Sequence, residues 1–241
     1  MVPLLLTGFA IVLLAAAVQA VTGFGFALVA VPLLALTNDP RTAVVAVGIA
    51  GMLMSIMVAL TERRYARWRL ALPLIGASAA GMPLGLLVLA QAPERVLLVL
   101  IGAAVVGCAV LIWRGLRIAG GWPVAVAVGV FAGSLSTSTG TNGPPLVAAF
   151  AGMEMAPREF RATLAAVFTG TGVLSLVGFA LAGQLTGAAA QVGLVGVPAA
   201  VAGWWLGNLL FRRLPTGSFR RIVLAALVAS GVLTAAPALA G

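Results

Sequence analysis

Histidine and lysine are absent from this 241-residue chain, and cysteine and acidic residues are scarce. The single cysteine, Cys108, excludes disulfides and multi-cysteine metal sites. Charged residues make up 8 % of the chain, against about 25 % in a typical soluble domain. Hydrophobic residues make up 62 %, and the mean hydropathy is +1.18. The composition therefore predicts an all-α polytopic membrane protein whose apolar surface faces lipid.

The net charge of +9 comes from fourteen arginines against five acids. Because the arginines lie between apolar segments, we interpret them as determinants of orientation and as contacts for membrane lipids, not for nucleic acid. No predicted span contains an acid, which does not favour a proton relay through the membrane. Glu154 and Glu159 follow the second hairpin and are candidates for gating or coupling, with a solvated loop as the alternative.

The two halves of the chain share a pattern of small residues and prolines. Thr22-Gly23 recurs 117 residues later as Thr139-Gly140. Such order in an apolar chain indicates a duplication, which is typical of transporters, and we assign residues 1–117 and 118–241 to two repeats. The other matched positions are Pro40-Arg41 with Pro157-Arg158, and Gly81, Leu84, Gly85 and Pro93 with Gly203, Leu206, Gly207 and Pro215.

Six charge-free stretches have the ~20 residues that a spanning helix needs. They are 42–60, 70–92 and 96–113 in the first repeat, and 162–182, 188–211 and 222–240 in the second. Two further charge-free regions, 2–37 and 121–152, are too long for one helix and too short for two full spans. We predict that each is a re-entrant hairpin of two shortened helices, whose non-helical tip lines a wet cavity or is covered by protein.

The arginines support this topology. With two re-entrant hairpins, twelve arginines fall on one side of the membrane and only Arg41 and Arg95 on the other. This bias is what the positive-inside rule requires. We predict that the two repeats are inverted, that both termini are external, and that the twelve arginines are cytoplasmic. The protein is then a multi-pass protein of a bacterial inner membrane.

Two motifs resemble the signatures of the sulfite exporter TauE/SafE family. The first is Val18–Gly25 followed by Val31–Leu34, and the second runs from Gly133–Ser136 through Gly140–Leu146. The second is richer in serine and threonine than the Gly-Gly-Gly version found in many members. The resemblance implies a transporter of small anions such as sulfite, sulfonates and related carboxylates.

The hairpin tips are the predicted anion site. The second arm of each hairpin begins near the membrane middle, so its first turn exposes unpaired N–H groups and the positive end of a helix dipole. The alternative is that the glycines serve helix packing and that the hydroxyls satisfy local backbone; for Gln19, it is an interhelical hydrogen bond. For Thr171 and Thr169, lining of the path competes with hydrogen bonding to their own helix. The candidate binding residues are Gln19, Thr22, Gly23, Gly25, Ser136, Ser138, Thr139, Gly140, Thr141, Asn142 and Gly143.

The leading functional prediction is a secondary transporter, in the direction of export, for a small organic or inorganic anion held between the two tips by alternating access. An anion channel or facilitator is the closest alternative. A metal-ion permease is disfavoured because the spans offer only Cys108 and methionines as soft ligands. A membrane enzyme is disfavoured by the absence of a recognisable nucleophile–base pair. We predict no catalytic residue, cofactor or metal site, and we leave a homodimer open.

Overall fold

The computed structural model of the protein describes residues 2–22, 24–115, 122–151, 153 and 155–211. Within this part of the chain every regular element is helical. A short 3-10 turn, Arg63–Tyr65, follows the third α-helix. The α-helices are α1 (Val2–Thr22), α2 (Phe26–Ala35), α3 (Pro40–Glu62), α4 (Trp68–Gln91), α5 (Glu94–Arg114), α6 (Trp122–Ser138), α7 (Gly143–Ala151), α8 (Pro157–Leu181) and α9 (Gly187–Phe211).

Five of the described helices are long and apolar enough to cross a membrane: α3, α4, α5, α8 and α9. Each overlaps one of the spans expected from the sequence, and the sixth expected span, 222–240, lies outside the described residues. Their outward faces carry large exposed apolar side chains, such as Leu72 and Leu84 on α4. A surface of this kind is suited to lipid, because a water-soluble protein rarely exposes contiguous apolar area of this extent.

The two regions expected to be hairpins each contain a helix break. Between α1 and α2, Gly25 adopts a φ of 104°, and between α6 and α7, Gly140 adopts a φ of 71°. Both values lie in the left-handed region that glycine enters without a Cβ clash. With ten and nine residues, α2 and α7 are too short to cross a bilayer that needs ~20. Whether the pairs enter and leave on one side remains a prediction.

Glycines set the closest helix contacts. On α4, Gly81 lies against the backbone carbonyl of Val130 on α6, and Gly133 of α6 lies against the carbonyl of Ser78. A Cβ at either glycine would overlap that backbone. On α9, Gly203 and Gly207 lie in the same way against the backbone of α1. Helix packing is therefore the role of these small-residue faces.

The centre of the molecule is formed by α3 and α8, which pack on each other. The long helix α9 packs on α3 and on α1, while α4 packs on α8 and on α6. The short helices begin beside this centre, and α5 contacts both of them. As a result, the two helix breaks lie beside the middle of α3 and α8.

Candidate anion site between the two helix breaks

The main cavity lies where both helix breaks meet the middle of α3 and α8. Its volume of about 80 Å³ compares with roughly 10–15 Å³ for one water, so a small ligand of several atoms can be accommodated. Gly51, one of its lining residues, is the twelfth of the 23 residues of α3. Thr171 is the fifteenth of the 25 residues of α8. The cavity is therefore at mid-depth along two spanning helices.

The first turn of α2 forms one wall. Gly25 caps this helix, and Phe26, Ala27 and Leu28 follow it along the cavity. The N–H groups of these first helical residues have no acceptor within α2, because the first four N–H groups of an α-helix have none. The positive end of the α2 dipole thus faces the cavity.

The second break supplies a different set of donors. Gly140, Thr141, Asn142 and Gly143 all line the cavity. However, the two residues after Gly143 are Pro144 and Pro145, which have no N–H group. Backbone donation at the start of α7 is therefore limited to Asn142 and Gly143. The two helix ends therefore differ, since α2 offers more unpaired N–H groups than α7.

Polar side chains from α6, from the second break and from α8 form a network along the cavity. The Asn142 amide nitrogen donates to the Thr171 hydroxyl at 3.2 Å and to the Ser136 hydroxyl at 3.4 Å. The Ser136 and Ser175 hydroxyls lie 3.0 Å apart. Thr171 donates its single proton to the Val167 carbonyl, at 2.9 Å. Of this network, only the Ser136–Ser175 pair has a hydroxyl proton left for a ligand.

Some residues predicted for the site do not line it. The Ser138 hydroxyl donates to the Ser134 carbonyl at 2.7 Å, and Thr139 donates to Leu135 at 3.2 Å. Thr139 also lies 2.7 Å, oxygen to oxygen, from Thr141, so it supports a lining residue. Both hydroxyls satisfy the end of α6, which is the alternative that the sequence left open. Gly23 and the side chain of Thr22 lie outside the described residues.

Gln19 lines the cavity and is nine-tenths buried, with 9 % exposure. Its side-chain oxygen has no hydrogen-bond partner among the described residues. Within the described part of the chain, this oxygen therefore makes no interhelical hydrogen bond. The oxygen is an acceptor and can bind water, whereas the amide nitrogen is the group of Gln19 that can donate to an anion.

Several lining residues were not predicted. Ser55 and Ser175 are hydroxyls within apolar spans, and this signal could have identified them. Phe26 and Phe179 carried no signal, because phenylalanine is ordinary in a membrane helix. Their rings are accommodated by α3, where Gly51 and Gly48 face them: a Cβ at either glycine would lie 3.3 Å from a ring carbon.

The described lining of the cavity contains no charged side chain. Its polar groups are amides, hydroxyls and helix-end N–H groups, set against the rings of Phe26, Phe168 and Phe179. Neutral donors of this kind can hold a small anion without a permanent counter-ion, as helix N-termini do elsewhere. They would leave a divalent cation without an anionic ligand.

The family model described as "Sulfite exporter TauE/SafE" matches residues 8–234 of the chain, which include both helix breaks. The chain belongs to the sulfite exporter TauE/SafE family. The resemblance found in the two sequence motifs is thereby confirmed. The protein is a multi-pass membrane protein of a transporter family, not of an enzyme family.

A curated TauE/SafE relative is the protein named "Probable sulfite/organosulfonate exporter TauE" of Cupriavidus necator. It is 35 % identical over 115 residues, which represent 46 % of this chain and 43 % of the relative. The match thus spans less than half the length of that relative. No solved structure matches the chain.

Proposed function

We propose that this TauE/SafE protein is a secondary transporter that exports a small sulfur- or carboxylate-bearing anion, bound in the cavity between the two helix breaks. The observation that carries the proposal is the meeting of the α2 N-terminus, the Asn142 network and Gln19 in one mid-depth cavity. A transporter needs a site of this kind, reachable in turn from each side of the membrane.

An anion suits the site for electrostatic reasons. The N–H groups at the start of α2, the Gly143 N–H and the Ser136–Ser175 pair are donors, and none of the described lining residues is an acid. Hydrogen bonds to an ionised acceptor are roughly twice as strong as neutral ones. An anion with several oxygens would engage more of these donors than water does.

Sulfite and small organosulfonates are the first substrates to test, because the relative from Cupriavidus necator bears those compounds in its name. The phenylalanine rings beside the donors are compatible with a short apolar substituent on the anion. Carboxylates of similar size form a second group of candidates, since they present the same kind of acceptor oxygens.

Two inverted repeats, each with a re-entrant hairpin, would explain how the breaks meet. Under this proposal α1 of the first repeat corresponds to α6 of the second, and α4 corresponds to α9. The pair α1–α9 then corresponds to the pair α6–α4, and both pairs pack closely. The glycine faces follow the same exchange: Gly81 and Gly85 contact α6, while Gly203 and Gly207 contact α1. These correspondences support a two-fold relation with its axis in the membrane plane.

Membrane potential can drive the export. Each unit negative charge that leaves a cell with a negative interior gains about 2.3 kcal/mol per 100 mV. Among the described residues the acids lie at helix ends or in loops, so the proposal includes no proton relay by an intramembrane carboxylate. Uniport or exchange by alternating access is sufficient.

Counterflow in proteoliposomes tests the proposal. Vesicles that contain the purified protein and are preloaded with unlabelled sulfite should transiently accumulate ³⁵S-labelled sulfite from the outside, with saturation at increasing concentration. Protein-free vesicles provide the baseline. A flux that does not saturate and shows no counterflow indicates a channel, and the absence of flux with sulfite, sulfonates and carboxylates alike would reject anion transport.

A further inference from the structure

A second cavity, here called the vestibule, adjoins the candidate anion site on the side where α3 ends and α8 begins. It shares Gln19, Ser55 and Phe168 with the central cavity, and Arg161 lies in its wall. The central cavity has no charged residue in its described lining. The vestibule itself is small, with a volume of about 20 Å³ that holds one or two waters. It adds a cation, the partly exposed Arg161, beside residues that also line the central cavity.

One face of α8 connects the two cavities. From Arg161 the face continues through Phe168 to Thr171 and Ser175, at spacings of seven, three and four residues. Ten residues separate Arg161 from Thr171, which corresponds to about 15 Å along the helix axis. Arg161 is thus about half a ~30 Å hydrocarbon core away from the central site.

The facing side of α3 has a matching order. Gly51 and Ser55 line the central cavity, Ser55 and Val58 line the vestibule, and Glu62 ends the helix. Glu62 and Arg161 face each other here, with a nitrogen–oxygen distance of 3.8 Å. A positive and a negative side chain therefore stand together at the outer end of the vestibule.

This ion pair is not saturated. At 3.8 Å it is longer than a hydrogen bond, and the other carboxylate oxygen of Glu62 is buried without a partner among the described residues. The neighbouring pair between the same two regions differs, because Arg67 lies 2.6 Å from Glu159. Arg67 also holds the start of α8 through a backbone hydrogen bond to Thr163, at 3.0 Å. The Arg67–Glu159 pair thus joins the start of α4 to the start of α8. The Arg161 guanidinium keeps N–H groups that can donate to a ligand.

We propose that the outer end of the vestibule, at the partly exposed Arg161, is a second anion site. There Arg161 binds the oxyanion before it reaches the central cavity, and Glu62 competes with the anion for the guanidinium. A guanidinium presents parallel N–H groups that match the oxygens of a small oxyanion. Gln19 lines both cavities, and its amide nitrogen can donate to the anion on the way from Arg161 to the central cavity. The proposal rests on the anion transport proposed above and adds an ordered route to it.

The competition makes opposite predictions for the two members of the pair. Arg161→Gln removes the anion's partner and should raise KM for sulfite by about three- to tenfold, a discounted value for a half-exposed charge. Glu62→Gln removes the competitor and should lower KM by about twofold. A pair with only a structural role would shift KM in one direction, or leave it unchanged, in both variants.

The measurement is saturable uptake of ³⁵S-labelled sulfite into everted membrane vesicles, whose outer face is the cytoplasmic face. Arg158→Gln is the matched control, because Arg158 lies on the same turn of α8 but contacts Tyr65 and lines neither cavity. Its KM should equal that of the wild type. Arg161→Lys retains the charge but loses the parallel N–H groups, so its KM should rise, by less than in Arg161→Gln.

The outcomes separate the two proposals. A KM that rises for Arg161→Gln and falls for Glu62→Gln supports the vestibule. Saturable wild-type uptake with an unchanged KM in Arg161→Gln overturns the vestibule alone, and so does a higher KM in Glu62→Gln. If Arg161→Gln does not accumulate in the membrane, Glu62→Gln decides: a lower KM supports the vestibule, and an unchanged or higher KM overturns it. Absence of wild-type uptake for every anion tested rejects the transport function itself, and the vestibule with it.

Discussion

At the scale of single residues, the site depends on which hydroxyl and amide hydrogens already donate to acceptors within the protein. The Thr171 and Ser55 hydroxyls each donate to a carbonyl of their own helix, at 2.9 Å in both cases. Neither can donate to a ligand at the same time, since a hydroxyl has one proton. Asn142 joins the second break to α6 and α8 and so positions the polar side chains that line the cavity there.

Asn142→Asp should abolish or strongly reduce sulfite transport. The side chain has nearly the same shape, but a carboxylate would repel an anion at about 4 Å by on the order of 4 kcal/mol, if the effective dielectric constant is about 20. The matched control is Asn38→Asp, the same change at a partly exposed residue of the loop after α2 that does not line the cavity. Initial rates in proteoliposomes at equal protein amounts compare the two. Normal transport by Asn142→Asp would place the anion elsewhere.

At the scale of helices, the crossings depend on glycines that leave no room for a methyl group. The α4–α6 crossing contains Gly81, Gly85 and Gly133, each of which lies against backbone of the other helix. The Thr137 hydroxyl adds a hydrogen bond to the Met82 carbonyl across the same crossing, at 2.9 Å. Because α6 leads into the second break, this crossing also positions Ser136.

Gly81→Ala should destabilise the folded protein by about 1–3 kcal/mol, because a methyl group overlaps the Val130 backbone, which cannot move away as a flexible side chain could. Gly76→Ala is the control on the same helix: its added methyl meets no atom within 4 Å among the described residues. That change should be neutral or slightly stabilising, since alanine is favoured over glycine in helices. Thermal unfolding in detergent compares both. Equal midpoints would contradict the role given to the α4–α6 crossing.

At the scale of the whole molecule, the loop after α3 packs on the start of α8 on one side. Arg67 pairs with Glu159, and Arg158 donates to the Tyr65 hydroxyl at 3.4 Å. These contacts connect the segment after α3 with the start of α8, and these two helices pack on each other at the centre. The arginine distribution predicts that this side is cytoplasmic.

A cysteine at Thr61 should resist an impermeant thiol reagent in intact cells, whereas a cysteine at Asn38 should be labelled. Thr61 is exposed and Asn38 is partly exposed, and they lie near opposite ends of α3, so they report opposite sides of the membrane. The background is Cys108→Ala, since Cys108 is the natural thiol. Labelling after permeabilisation confirms that each thiol is reactive. External labelling at Thr61 would reverse the orientation, and labelling at both positions would contradict α3 as a span.

The sequence by itself determined that the protein is a membrane protein, that it is helical, where its helices break and to which family it belongs. These properties depend on composition, on the length of apolar runs and on glycine motifs, all of which are local along the chain. It also contained two signals about which residues of the second break can face a ligand. Ser136 and Ser138 lie about 200° apart around a helix and cannot both face one cavity, and prolines follow Gly143.

Only the tertiary structure decided which polar residues share the site. Gln19, Ser55 and Ser175 are separated by up to 156 residues, and no local rule brings them to one cavity. Their meeting depends on how α1, α3 and α8 pack, and this is set by glycine contacts between distant segments. The same packing places Arg161 beside Glu62 at the end of a shared path. Such proximity is a property of helix crossings, which a one-dimensional pattern does not specify.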